Sequence, residues 1–269
     1  MLKTRIITAL VLLPLMLAAL FFFPPAAWAA FSWLIIVLAM WEYARMAAIR
    51  GMQQWLYLGG STLLAAAAWF SGFVPDGTMM VISLLVWLVL APLWLRKRWA
   101  IPGGVPAMVL GWLLMFPAWF AFLAWHPDSS AVSGKQLLAV MGLVWVADVA
   151  AYFAGKAFGK HKLAPAVSPG KTIEGMLGGL FTASLLAIGV TWFMGFVPAK
   201  MGTVLLCSLL AVLASVLGDL AESMFKREAG IKDSGTLLPG HGGILDRIDS
   251  LTAALPVFLL SYLLLGPEF

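Results

Sequence analysis

Charge is what this sequence has least of. Only 11% of its 269 residues are Asp, Glu, Lys or Arg, against 62% hydrophobic, and mean hydropathy is +0.98. A soluble domain is about a quarter charged and about half apolar, so a water-soluble fold around one core is excluded. The bilayer is the implied solvent. Cysteine is nearly absent too: the single Cys207 lies in an apolar run, can form no intrachain disulfide, and reads as a small buried hydrophobe. Three histidines and that cysteine lack any zinc-ligand spacing, and His126 reads as a plain loop residue. No repeat and no soluble segment is visible, which leaves a single membrane domain over residues 1–269.

Long apolar runs are abundant instead. The N-terminus imitates a signal peptide, with Lys3 and Arg5, an apolar stretch from Ile6 to Phe23, and small residues around Ala27-Trp28-Ala29. Signal cores are about 7–15 residues long; this one is longer and reads as a first membrane helix. A membrane helix needs about 20 mainly apolar residues. Nine stretches meet that approximately: 5–23, 26–44, 55–74, 78–95, 105–125, 136–155, 173–195, 201–222 and 250–266. Pro24-Pro25, Val74-Pro75-Asp76-Gly77, Ile101-Pro102-Gly103-Gly104 and His126-Pro127-Asp128 punctuate them as turns. The expected fold is therefore all-α, a polytopic integral membrane protein with about nine transmembrane helices.

The basic residues orient it. Net charge is +5 and the isoelectric point about 9.5, a balance that in a soluble protein would suggest nucleic acid. Here placement matters more than the sum. Loops on the N-terminal side hold Lys3, Arg5, Arg45, Arg50, Arg96, Lys97, Arg98, Lys156, Lys160, Lys162, Lys171, Lys226, Arg227, Lys232 and Arg247; the opposite side holds only Lys135 and Lys200. Such asymmetry marks the cytosolic face and leaves no basic patch for nucleic acid. Two long cytosolic loops, 156–172 and 223–249, hold most of the remaining polar residues, and long connections tend to be functional.

Chemistry should lie there. Asp148 sits inside the apolar run Val144-Trp145-Val146-Ala147-Asp148, and Asp219 closes another, with Glu222 one turn on. A carboxylate at a helix centre costs roughly 2.5–3.5 kcal/mol on insertion scales, so such residues face a cavity, a cation or a partner unless they lie hydrated at the helix end. After Asp219 come Ser223, Lys226-Arg227, Lys232-Asp233, Pro239-Gly240-His241-Gly242-Gly243 and Asp246-Arg247-Ile248-Asp249. Asp246 and Asp249 are three apart at a helix start and can point the same way. Helix-end capping explains one acid well; it does not explain the whole group of acids and bases. A metal–polyphosphate site uses all of them. Carboxylates hold Mg²⁺, which shares oxygen ligands with substrate phosphates, while Lys and Arg take the remaining phosphate charge. Gly240, Gly242 and Gly243 would let backbone approach a ligand.

The stretch from Ser223 to Asp249 resembles the signature of the phosphatidate cytidylyltransferases, the CDP-diacylglycerol synthases. That signature has Ser, Lys-Arg, Lys-Asp four residues on, Pro-Gly-His-Gly-Gly and Asp-Arg-apolar-Asp, and every fixed position is present. Support comes from residues 148–175: Asp148-(x)3-Tyr152, Gly155-Lys156-(x)2-Gly159-Lys160 and Ser168-Pro169-Gly170-Lys171-Thr172-(x)-Glu174-Gly175 are also similar to the family. The resemblance implies transfer of the cytidylyl group of CTP to phosphatidic acid, giving CDP-diacylglycerol and pyrophosphate, at a bacterial inner membrane among membrane lipids, with the site region 219–249 cytosolic. Under it, Asp219 and Asp246 are the expected Mg²⁺ ligands, with Asp249 and Asp148 in support and room for a second cation. Lys226, Arg227, Lys232 and Arg247 would hold the triphosphate or the lipid phosphate. His241, Ser223, Gly242, Gly243 and Lys171 complete the expected site, and a homodimer stays open.

Rival readings explain less. Gly170-Lys171-Thr172 mimics a P-loop, but Pro165 stands where its first glycine is required, and a P-loop follows a strand. A secondary transporter would spread its charges through helix centres and carry a repeat. A lipid-alcohol kinase shares the metal logic and differs in substrate. The Asp-Gly-(x)2-Ala-Arg pattern of enzymes that consume CDP-alcohols is missing. Trp28, Trp33, Trp41, Trp55, Trp94 and Trp99 fall near span ends, where indoles favour the membrane interface.

Overall fold

Helices dominate because the apolar runs carry few breakers and lipid leaves backbone groups no partner but each other. A computed structural model describes residues 2–73, 77–125, 131–195 and 198–265. His126 and the turns at Pro75-Asp76 and Pro127-Asp128 lie outside the described residues. In chain order the elements are α1 (Leu2–Phe22), α2 (Pro25–Met46), α3 (Met52–Phe70), α4 (Gly77–Leu85), a π-helical turn (Val86–Leu90), α5 (Ala91–Lys97), α6 (Val105–Ala124) and α7 (Ala131–Phe158). There follow a hairpin of β1 (Lys162–Ala164) and β2 (Ser168–Thr172), then α8 (Ile173–Phe193), α9 (Pro198–Glu228) and α10 (Leu245–Leu265). The all-α, polytopic reading stands: among the described residues six helices (α2 and α6 to α10) are long and apolar enough to cross a membrane. The other three expected spans fall on α1, on α3, whose Gln53, Gln54, Gly59, Gly60 and Ser61 dilute its apolar character, and on the rod interrupted by the π-helical turn.

The chain divides into two compact units. The first comprises Met1–Asp76, Trp99–Leu137 and Phe225–Asp249; the second comprises Gly77–Arg98, Leu138–Met224 and Ser250–Phe269. In the first, α2 packs on α3 and α6 through aromatic rings, and the indole N–H groups find partners across the helices. Trp28 Nε1 donates to the Phe122 carbonyl at 3.0 Å, Trp119 Nε1 to Ala29 at 3.3 Å, and Trp112 Nε1 to Ser61 Oγ at 2.7 Å. Trp28 and Trp33, expected at the membrane interface, are buried between helices in this core, with the Trp33 and Trp119 rings 5.1 Å apart. Trp55 and Trp99 are exposed.

In the second unit small residues bring α7 and α8 together. A Cβ on Gly179 would stand 2.9 Å from the Ala147 carbonyl oxygen, and one on Gly175 would stand 2.7 Å from that of Ala151. Close backbone approach of this kind stabilises helix pairs where no hydrophobic effect is available. Cys207 is buried and free.

Both long loops are more regular than their polarity suggests. The segment expected as a loop over 156–172 contains the end of α7 and an antiparallel hairpin, registered Lys162 to Thr172 and Ala164 to Ser168. The loop expected from 223 begins only after Glu228, so Ser223, Lys226 and Arg227 are helical. Nothing in Ala221-Glu222-Ser223-Met224-Phe225-Lys226-Arg227-Glu228 breaks a helix. Gly230 ends it at φ +71°: its N–H donates to the Arg227 carbonyl and that of Ile231 to Lys226, so glycine's left-handed freedom satisfies the last carbonyls.

Candidate active site

The predicted residues gather within each unit. In the first, the segment between α9 and α10 is held by carboxylates. Asp246, in the first turn of α10, accepts Lys226 Nζ on Oδ1 at 2.7 Å. Its Oδ2 accepts the backbone N–H groups of Ser234 (2.9 Å) and Gly243 (2.8 Å). Lys226 and Asp246 are both largely shielded, so their ion pair sits where water screens it little. Asp249 is half-buried one turn further along α10, while Arg227, Lys232 and Arg247 are exposed. His241 is half-buried, and its backbone N–H donates to the Leu238 carbonyl at 2.8 Å within a tight bridge between Leu238 and Gly242.

The signature glycines have a role beyond admitting a ligand. At Gly242, with φ +84°, a Cβ would stand 2.6 Å from Asp246 Oδ2. At Gly243 a Cβ would collide with Ser234 Oγ and both carboxylate oxygens of Glu42. These glycines let the backbone close on the protein's own carboxylates.

Glu42 is the residue the sequence reading passes over. It lies on α2, fully buried, and accepts Ser234 Oγ at 2.8 Å and the backbone N–H groups of Ile244 (3.1 Å) and Leu245 (2.8 Å). The signal was available. The cost of a carboxylate inside an apolar run, which singles out Asp148 and Asp219, applies equally to Glu42. Ser234 lies inside the signature stretch but is not one of its fixed positions.

In the second unit Lys171, on β2, forms an ion pair with Asp219 Oδ2, and Ser223 Oγ donates to Asp219 Oδ1 at 3.3 Å. Asp148, on α7, lies within electrostatic reach of Lys171 and Asp219 and near the Ser250 side chain. Thr172 is engaged within the protein. It is the buried N-cap of α8, its Oγ1 accepting the Gly175 N–H at 3.1 Å and nestling against Gly155 and Gly159. A strand does precede this helix, unlike the expectation, but Thr172 closes the hairpin as the cap of α8 and Lys171 turns to Asp219. Glu174 orders the preceding turn, accepting the N–H groups of Lys160 (3.1 Å) and His161 (3.2 Å) and meeting His161 Nδ1 at 2.6 Å.

For a divalent cation the donor chemistry fits in one specific way. Among the described residues no group of three or more His, Cys, Asp or Glu could form a cage. Mg²⁺ rarely uses one, being held by one or two carboxylates together with substrate phosphates and water. Asp219, within electrostatic reach of Asp148, and Asp246, three residues before Asp249 along α10, are hard oxygen donors of that number. Lysine ammonium groups lie against Asp219 and Asp246, so each carboxylate is already built to face positive charge.

Comparison with known proteins agrees with this chemistry. Residues 3–265 match the model of the Cytidylyltransferase family. The phosphatidate cytidylyltransferase of Pseudomonas aeruginosa is 43% identical over 96% of this chain and 96% of its own length. That of Haemophilus influenzae is 38% identical over 97% of this chain and 99% of its own. One from Staphylococcus aureus is 50% identical over 118 residues, 43% of this chain. With near-full-length identity and a signature that folds into carboxylates facing lysines, the chain belongs to the cytidylyltransferase family.

Proposed function

We propose that this chain transfers the cytidylyl group of CTP to phosphatidic acid. The observation that carries the reading is the Lys226–Asp246 pair, gripped by the Ser234 and Gly243 amides within the signature stretch, in a chain that matches phosphatidate cytidylyltransferases over nearly its whole length. A phosphate oxygen of phosphatidate attacks the α-phosphorus of CTP. The bond to the β-phosphate breaks, pyrophosphate leaves with that electron pair, and CDP-diacylglycerol remains. The nucleophile is already an anion, so no activated serine or cysteine is required. What the protein supplies is positioning and neutralisation of repelling anions, the main contributions in phosphoryl-type transfer.

Lys226, Arg227, Lys232 and Arg247 are proposed to hold the triphosphate and lipid phosphate, with Lys171 as a further anion contact. Asp219 and Asp246 are proposed as ligands of Mg²⁺, supported by Asp148 and Asp249, and the metal when bound would neutralise developing charge on the phosphates. His241 and Ser223 position substrate or carboxylate. Nine spans with a cytosolic N-terminus would place this face toward cytosolic CTP in a bacterial inner membrane, with phosphatidate entering sideways from the inner leaflet.

The test is direct. Purified full-length protein is given labelled CTP, phosphatidate and Mg²⁺, and the lipid phase is analysed. CDP-diacylglycerol that depends on both substrates and is lost with a chelator is the expected result. Label that stays aqueous, under conditions where a known relative is active, would overturn the assignment.

A further inference from the structure

A carboxylate with no water around it is costly. The effective penalty is several kcal/mol per ion, and an apolar replacement is often neutral or stabilising. Glu42 is fully buried on α2, yet it is not a stray charge. Its two oxygens collect three donors: Ser234 Oγ and the Ile244 N–H from the segment between α9 and α10, and the N–H of Leu245, the first residue of α10. The two amides open α10, where the first N–H groups of a helix have no partner within it and the dipole favours an anion. Glu42 thus caps α10 from a different helix.

The network continues inward. Ser234 Oγ donates to Glu42 and in turn accepts the Asp246 N–H at 3.3 Å, while the Ser234 N–H donates to Asp246 Oδ2. Asp246 Oδ1 faces Lys226. A continuous path therefore runs from Glu42 through Ser234 to the Asp246–Lys226 pair. Two glycines are fitted to it. The three atoms nearest to a Cβ on Gly235 would all belong to the Glu42 side chain, and those nearest to one on Gly243 would belong to Glu42 and Ser234. Gly235 is not among the residues at positive φ, so crowding by Glu42, and not backbone strain, limits that position.

We propose that Glu42 is a positioning residue for cytidylyl transfer, fixing through Ser234 and the first amides of α10 the conformation in which Lys226 and Asp246 face each other. Its activity readout rests on the function proposed above; its structural readout does not. Full-length protein in nanodiscs would be compared as parent, Glu42→Gln, Ser234→Ala and the double variant. Hydrogen exchange and turnover would be followed together. In Glu42→Gln, exchange of the amides at 234 and 243–245 should rise about tenfold or more, the factor that losing one charge-assisted hydrogen bond gives. The core amides of α2 and α6 should keep their protection. The kcat should fall about 10- to 100-fold, as for residues that orient ligating groups, with KM for CTP changed less.

Ser234→Ala should lower kcat at a near-parent unfolding midpoint, and the double variant should be no slower than Glu42→Gln, since both act through one path. If Glu42→Gln does not fold, Ser234→Ala and Gly235→Ala carry the same test. Unchanged exchange over 234–245, exchange rising equally through α2 and α6, or near-parent kcat in a folded variant would each overturn the proposal. A parent that makes no CDP-diacylglycerol would sink the functional assignment instead, leaving the exchange result to decide Glu42.

Discussion

At the scale of single residues, the two proposed metal ligands differ in what else they do. Asp219 faces one lysine and one serine hydroxyl. Asp246 also binds two backbone N–H groups, so it organises the segment that carries His241 and the glycines. Asp219→Asn and Asp246→Asn should each lower kcat/KM by at least about 10²-fold, or roughly 2.7 kcal/mol. Their stabilities should separate. Asparagine at 219 can keep the serine contact, but at 246 its NH₂ must face a donor, which leaves a shielded group unsatisfied at about 1–3 kcal/mol. Steady-state kinetics at saturating and limiting Mg²⁺, with thermal unfolding, would check both. Near-parent turnover in either variant removes that carboxylate from the site, and equal unfolding midpoints would deny Asp246 its structural role.

At the scale of elements, the hairpin and the start of α8 work as one piece. Thr172 ends β2 and caps α8, and the glycines at 155, 159 and 175 make room for it. Thr172→Ala should therefore cost about 1 kcal/mol of stability, the usual value of an N-cap, while turnover below the unfolding range stays substantial. A large kcat loss at unchanged stability would restore the phosphate-cradle reading. The hairpin's purpose is visible in its product. It presents Lys171 to Asp219 from a strand whose register is fixed, which a flexible loop would not do.

At the scale of the whole molecule, orientation rests on the distribution of basic residues, with 15 of 17 assigned to one face. Ser71, at the end of α3, and Thr236, in the segment between α9 and α10, are both exposed and suit thiol labelling. In a background lacking Cys207, Ser71→Cys should react with an impermeant reagent added to intact cells, and Thr236→Cys should react only after lysis. Labelling of Thr236→Cys from outside would reverse the orientation and with it the access of cytosolic CTP.

Composition pointed to the solvent, and the length of the apolar runs pointed to the fold class, because in lipid a run of about 20 apolar residues satisfies its backbone within itself as a helix. The signature determined the family, because a dozen fixed polar and glycine positions survive any uncertainty about helix ends. Tertiary structure decided what each residue touches. That α9 runs to Glu228 depends on where a glycine can terminate it, and a polar helix end looks like a loop from its charges. Trp28 and Trp33 stood out from their positions near span ends, but only the fold shows the interhelical partners of their indole N–H groups. Glu42 reaches partners 192 to 203 residues away, and no local pattern marks such a distance. The glycines at 242 and 243 were legible as places of close approach. Only the fold identified what approaches them: the carboxylates of Asp246 and Glu42, which fold the signature onto itself.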